Sequence, residues 1–102
     1  MAYIPSYSHY TMASIPAEVW DEAWFSIQSW KGYLQSFPGL GHFSFAARPL
    51  DNGDVRFISA THWEYPEQLE EWRNSQWSMD NLLKSIRKPA YDITEETFED
   101  LD

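Results

Sequence analysis

Asn52-Gly53, set between two segments rich in β-forming residues, constrains the fold of this chain more than any other feature. A two-residue type I′ loop needs positive φ at both central positions, which Asn and Gly adopt most cheaply, so the pair predicts a tight hairpin. With that loop Asp51 faces Asp54. Pairing then runs back through Pro49 with Arg56, Ala47 with Ile58, Phe45 with Ala60 and Phe43 with His62. Side chains alternate with period two, so these residues share one sheet face. The other face carries His42, Ser44, Ala46, Arg48, Phe57, Ser59, Thr61 and Trp63, which puts His42 and His62 on opposite sides. The first face is apolar, as a helix-covered face would be. The second is mixed yet holds Phe57 and Trp63, which predicts cover by another chain.

The rest of the chain falls into place around the hairpin. Residues 7–15 contain Tyr, Met, Thr and Ile without helical periodicity and read as a first strand. Pro16 suits a first helical turn, where its missing N–H is no loss. Over residues 17–36, Trp20, Ala23, Trp24, Ile27, Lys31 and Leu34 recur at three- and four-residue steps, giving a main helix that Pro38-Gly39 ends. Pro66 opens a second helix with Leu69 and Trp72 inward and Glu67, Glu70 and Glu71 solvated. Trp77, Met79, Leu82, Leu83 and Ile86 form a third short helix or a kinked extension of the second. Residues 90–98 read as a weak edge strand, and residues 99–102 as a frayed acidic tail. The order is β-α-β-β-α-(α)-β, the α+β ferredoxin-like βαββαβ arrangement with an antiparallel sheet, with residues 1–102 as a single domain.

Composition narrows the function classes. The chain has 102 residues, 43% hydrophobic and 18% aromatic, with no apolar run long enough for a transmembrane helix. Residues 1–14 lack the basic start and apolar core of a secretory signal, so a cytoplasmic protein is expected. No cysteine is present, which excludes disulfides, thiolate metal sites and thiol nucleophiles. Sixteen acidic against seven basic residues give a net charge of −9, which repels nucleic acid and anionic membrane alike.

No Gly-rich phosphate loop, GxSxG elbow or HExxH motif occurs, and His9, His42 and His62 fall on separate strands, so no metal site is expected. The six Trp, six Tyr and six Phe are more than a small core normally takes. Flat rings around a cleft suit a planar aromatic ligand, although for any single one of them core packing is the better explanation. A pocket between helices and sheet lined by Trp24, Phe43, Phe45, His62 and Trp72 is predicted, with Arg73 beside it. His62 is the candidate base, since its pKa lies near working pH, or else a structural histidine bonded to the backbone.

Pro38-Gly39, the strand ending at Trp63-Glu64, and Glu67, Leu69, Trp72 and Ser75 together resemble the antibiotic biosynthesis monooxygenase family. The resemblance implies a homodimer in which two four-stranded sheets pack face to face as a dimeric α/β barrel, with a ligand cleft in each subunit. Family members oxidise polycyclic aromatic polyketides with molecular oxygen and no prosthetic group, or degrade heme. The first activity implies a cofactor-independent monooxygenase here, with His62 as base and Trp72 and Arg73 positioning the substrate anion. Heme-degrading members use an Asn on the first strand, a Trp on the second helix and an iron-binding His ten residues later. Trp72 matches, but the later position is Leu82 and the first strand has no Asn, which disfavours heme. A non-catalytic binding or stress-associated barrel, or a cyclase or isomerase on the same scaffold, stays open.

Overall fold

The computed structural model describes residues 6–101. Four antiparallel strands, β1 (Tyr7–Ile15), β2 (Leu40–Pro49), β3 (Val55–Trp63) and β4 (Tyr91–Glu99), form one sheet in the order β2-β3-β1-β4. Three helices, α1 (Trp20–Gln35), α2 (Pro66–Arg73) and α3 (Met79–Lys84), complete the α+β ferredoxin-like arrangement predicted from sequence. Within one chain the sheet is open, with β2 and β4 as its edges.

A short 3₁₀ turn, Ala17–Val19, leads from Pro16 into α1, whose first turn carries Asp21 and Glu22 where the helix dipole favours negative charge. Ala23, Ile27, Trp30 and Leu34 make its buried stripe. Trp20, Trp24 and Lys31, expected on that stripe, flank it half-buried instead. Past α1 the chain reverses at Gly39, whose φ of +86° only glycine adopts cheaply; its carbonyl accepts the Glu64 N–H at 2.9 Å. Ser78 caps α3 by accepting the Asn81 N–H, which makes α2 and α3 separate helices.

The hairpin loop is one residue longer than predicted. Leu50 N–H donates to the Asp54 carbonyl at 2.8 Å and Gly53 N–H to the Leu50 carbonyl at 3.0 Å, while φ is positive at Gly53 but not at Asn52. That is a three-residue loop with glycine in the left-handed position. The extra residue slides β3 by one place against β2, so Phe43 faces Thr61, Phe45 faces Ser59, Ala47 faces Phe57 and His42 faces His62. Because side chains alternate, a one-residue slip exchanges the faces of the whole strand.

Two expectations are thereby overturned. Phe57, Ser59, Thr61 and Trp63 are buried beneath the chain's own helices and are not left for a second chain. His62 is on the helix-free face with His42, Ser44, Ala46, Arg48, Arg56, Ile58 and Ala60. The helix side is filled by Phe57, Trp63, Trp72, Ile15, Ile27, Leu34, Met79 and Leu83, each under 2% exposed. The acidic tail is not frayed at its start either: Asp100 N–H donates to the Ser6 carbonyl at 2.8 Å.

Candidate functional site

Three groups of side chains carry chemistry, and the predicted site residues are divided among them. The first is on the helix-free face. Ser8, on β1, sits directly across from His62 on β3. The Ser8 hydroxyl donates to Asp100 Oδ1 at 2.6 Å, and its oxygen lies 2.8 Å from His62 Nδ1. A hydroxyl has one proton, and here it goes to the carboxylate, so Nδ1 must donate to Ser8 and the basic lone pair resides on Nε2. Ser6 donates to the second Asp100 oxygen at 2.7 Å, and the two hydroxyls hold the Asp100 carboxyl below its ordinary range. Burial, reinforced by neighbouring His42 and opposed by Asp100, lowers the His62 pKa, so the ring is neutral at pH 7. The His42 and His62 rings stack at 3.9 Å. Ser6, Gly41, His42, His62, Trp63, Glu64 and Asp100 line a cavity of about 410 Å³ there.

The second group is buried under α2. His9 Nε2 lies 3.0 Å from Glu95 Oε1, and its Nδ1 lies 2.8 Å from Thr97 Oγ1. A carboxylate only accepts, so Nε2 donates to Glu95 and Nδ1 accepts from Thr97. Trp72 meets the ring edge-on at 6.1 Å, and Arg73 reaches Glu95 at 3.7 Å. Trp72 and Arg73 are therefore grouped with His9 and not, as predicted, with His62. Both His9 nitrogens are engaged and the residue is 1% exposed, so it has no lone pair to offer a substrate. Burial lowers its pKa more than Glu95 raises it. Unfolded His titrates near 6.5, so below that pH the unfolded chain takes up more protons than the native one. His9 stability is complete above about pH 6.5 and lost as pH falls toward the lowered native value. The thermal midpoint should drop between about pH 7.5 and 5.5, and drop less in His9→Gln. Equal drops would assign the effect to His62, whose shift has the same sign.

The third group is aromatic, at the edge strand β2. Trp20, Trp24, Phe45, Ala46, Ala47 and Phe57 enclose about 220 Å³. Trp24 meets Phe45 edge-on at 6.4 Å, and Phe43 lies 5.5 Å from Phe45. Trp24, Phe43 and Phe45 thus come together as predicted, apart from Trp72 and from His62. Ser8, Asp100, Glu95 and Thr97 were missed by sequence reading, since no local pattern links positions 54 to 92 residues apart.

For a heme, the position ten past Trp72 is decisive. Leu82 lines a shallow hollow of about 280 Å³ with Phe25, Ser26, Ser29, Trp30 and Tyr33, and none of these supplies an iron ligand of the histidine kind. His9 has no free nitrogen, and His42 and His62 are on the other sheet face. The residues present do not fit a histidine-ligated heme beneath these helices. Among the described residues no group of three or more His, Asp or Glu side chains is placed to hold a metal ion, and no helix is long and apolar enough to cross a membrane.

No protein-family model matches the sequence, and no curated protein does. Solved structures match the fold. One, an antibiotic biosynthesis monooxygenase, superposes with a TM-score of 0.75 at 13% identity, covering 94% of this chain and 99% of its own. Another, a heme-degrading protein from Mycobacterium tuberculosis, gives a TM-score of 0.67 at 19% identity, covering 98% of this chain and 96% of its own. The chain has the fold of the antibiotic biosynthesis monooxygenases.

Proposed function

We propose that the protein is a cofactor-independent monooxygenase for a flat phenolic or anthrone-like substrate, acting as a homodimer, with His62 as its base. The observation that carries this reading is the Asp100–Ser8–His62 chain, which leaves Nε2 as the proton acceptor of a neutral imidazole beside a cavity of about 410 Å³. A base of this kind is what the chemistry needs. Nε2 removes a proton from the substrate, and the resulting anion gives one electron to molecular oxygen. The radical pair then joins as a carbon-bound peroxide. Return of the proton and loss of water leave a carbonyl, so that a ring CH₂ and O₂ become C=O and H₂O. Asp100 stabilises the imidazolium formed on the way.

The helix-free face supports the dimer. Tyr10, Met12, Ile58 and Ala60 are only partly covered there and Phe98 is 52% exposed, an apolar surface that a second sheet would bury. The same sheet would close the His62 cavity from bulk water, which an anionic intermediate requires. Light scattering should give twice the 12.0 kDa chain mass at micromolar protein, and a monomer would remove this part of the proposal.

The activity is tested by oxygen uptake with purified protein and a panel of anthrones and naphthols. Uptake above the spontaneous rate, lost in His62→Gln, is expected. Proton exchange at the substrate without uptake would turn the reading to an isomerase or cyclase, and neither would leave a binding protein.

A further inference from the structure

Most of the aromatic cleft at the β2 edge is built from a stretch of chain without acidic residues. Residues 23–50 contain no Asp or Glu, in a chain with sixteen of them, and their only cations are Lys31 and Arg48. Lys31 cannot find an acid along its own helix, because its neighbours three and four residues away are Ile27, Gln28, Leu34 and Gln35. It makes no ion pair among the described residues, whereas Arg73, Lys84, Arg87 and Lys88 each hold a carboxylate. Its ammonium instead lies 5.9 Å from the Phe45 ring centre.

Phe45 is also a wall of the cleft. Trp20 and Trp24, one helical turn apart, stack at 5.9 Å and 19°, and Phe57 meets both Trp20 and Phe45. Ala47, opposite Phe57 on the helix side, leaves the floor low where a larger strand residue would fill it. A dry apolar cavity of about 150 Å³ takes benzene, so about 220 Å³ open at one side suits one or two fused rings.

The geometry points to a second small-molecule site, separate from the His62 cavity, in which Trp20, Trp24, Phe45 and Phe57 hold a planar aromatic ring and Lys31 binds its anionic substituent. An aromatic carboxylate is the matching class. The ring gains apolar burial and edge and face contacts, and the carboxylate meets a lysine with no carboxylate partner among the described residues, in the longest stretch of the chain free of acidic residues.

Isothermal titration with 2-naphthoate and its neutral counterpart 2-naphthamide tests this, with tryptophan emission as a second readout. Naphthoate should bind once per chain and at least about ten-fold more tightly than the amide, the difference between a charge-assisted and a neutral hydrogen bond. Lys31→Met should abolish that preference while still binding the amide. Ala47→Leu should fill the cleft and weaken both ligands by about ten-fold or more. His62→Gln should bind both as the wild type does. The proposal is overturned if naphthoate does not bind, if Lys31→Met keeps the preference, or if Ala47→Leu binds unchanged. Loss of binding in His62→Gln would overturn it too, by moving the ligand to the other cavity. Circular dichroism of each variant separates loss of a site from loss of the fold. Since the oxygen-uptake assay depends on His62 and this one does not, either can fail alone.

Discussion

Trp72→Ala is expected to destabilise the protein by about 3–5 kcal/mol, the range for truncating a fully buried tryptophan. Trp72 is 1% exposed, with ring centres of Trp63 at 5.3 Å and of Trp30 and His9 at 6.1 Å. Its Nε1–H donates to the Trp77 carbonyl at 2.9 Å, across the connection between α2 and α3. The substitution opens a cavity at the meeting point of three aromatic side chains and leaves that carbonyl without its donor, so neighbouring groups cannot collapse onto the gap cheaply. Domains of this size hold about 5–15 kcal/mol in total, so the variant should sit near its unfolding transition at 37 °C. Urea titration should show a lower midpoint at unchanged slope. A loss below about 1 kcal/mol would mean that Trp72 lines an accessible pocket, as sequence reading had it, and is not core.

The second large effect concerns the proposed base. His62→Gln should lower oxygen uptake by about 10²–10⁴-fold, the usual contribution of a positioned general base, with the fold unchanged because the side chain is only half-buried. The rate of the native protein should rise with pH and level off, with an apparent pKa below the ordinary histidine value, because burial and His42 disfavour the imidazolium. Asp100→Asn is the more specific probe. An amide can donate to Ser8, which lets the hydroxyl turn its proton toward Nδ1 and forces the His62 proton onto Nε2, removing the lone pair that does the work. Ser6→Ala touches only the second Asp100 oxygen and should cost much less. Equal rates in Asp100→Asn and the native protein would show that the chain of hydrogen bonds has no part in the reaction.

Local order was legible wherever neighbouring residues decide it. The first strand needs only its run of β-formers between residue 7 and Pro16, and α1 follows from apolar residues at helical steps between two prolines. Pro66 and the spacing of Leu69 and Trp72 likewise specify α2. Asn52-Gly53 marks a reversal just as firmly, but does not say how many residues the loop takes. A two-residue and a three-residue loop differ little in backbone energy, and the choice belongs to what packs against the strands: the three-residue loop puts Phe57 and Trp63 under α1 and α2, where the apolar surface is. That single place in register moved His62 to the other face and set it against His42, away from Trp24, Phe45 and Trp72. The partners that define the three groups of side chains are joined only by folding. Asp100 reaches Ser8 across 92 residues and Glu95 reaches His9 across 86, and hydrogen bonds over such separations leave no periodicity for a sequence to display. Local residue patterns settle which segments are strands and helices and in what order. Which face each strand presents, and hence which histidine keeps a free nitrogen, was decided by the tertiary packing, because a strand's two faces differ by one residue while burial acts on the face as a whole.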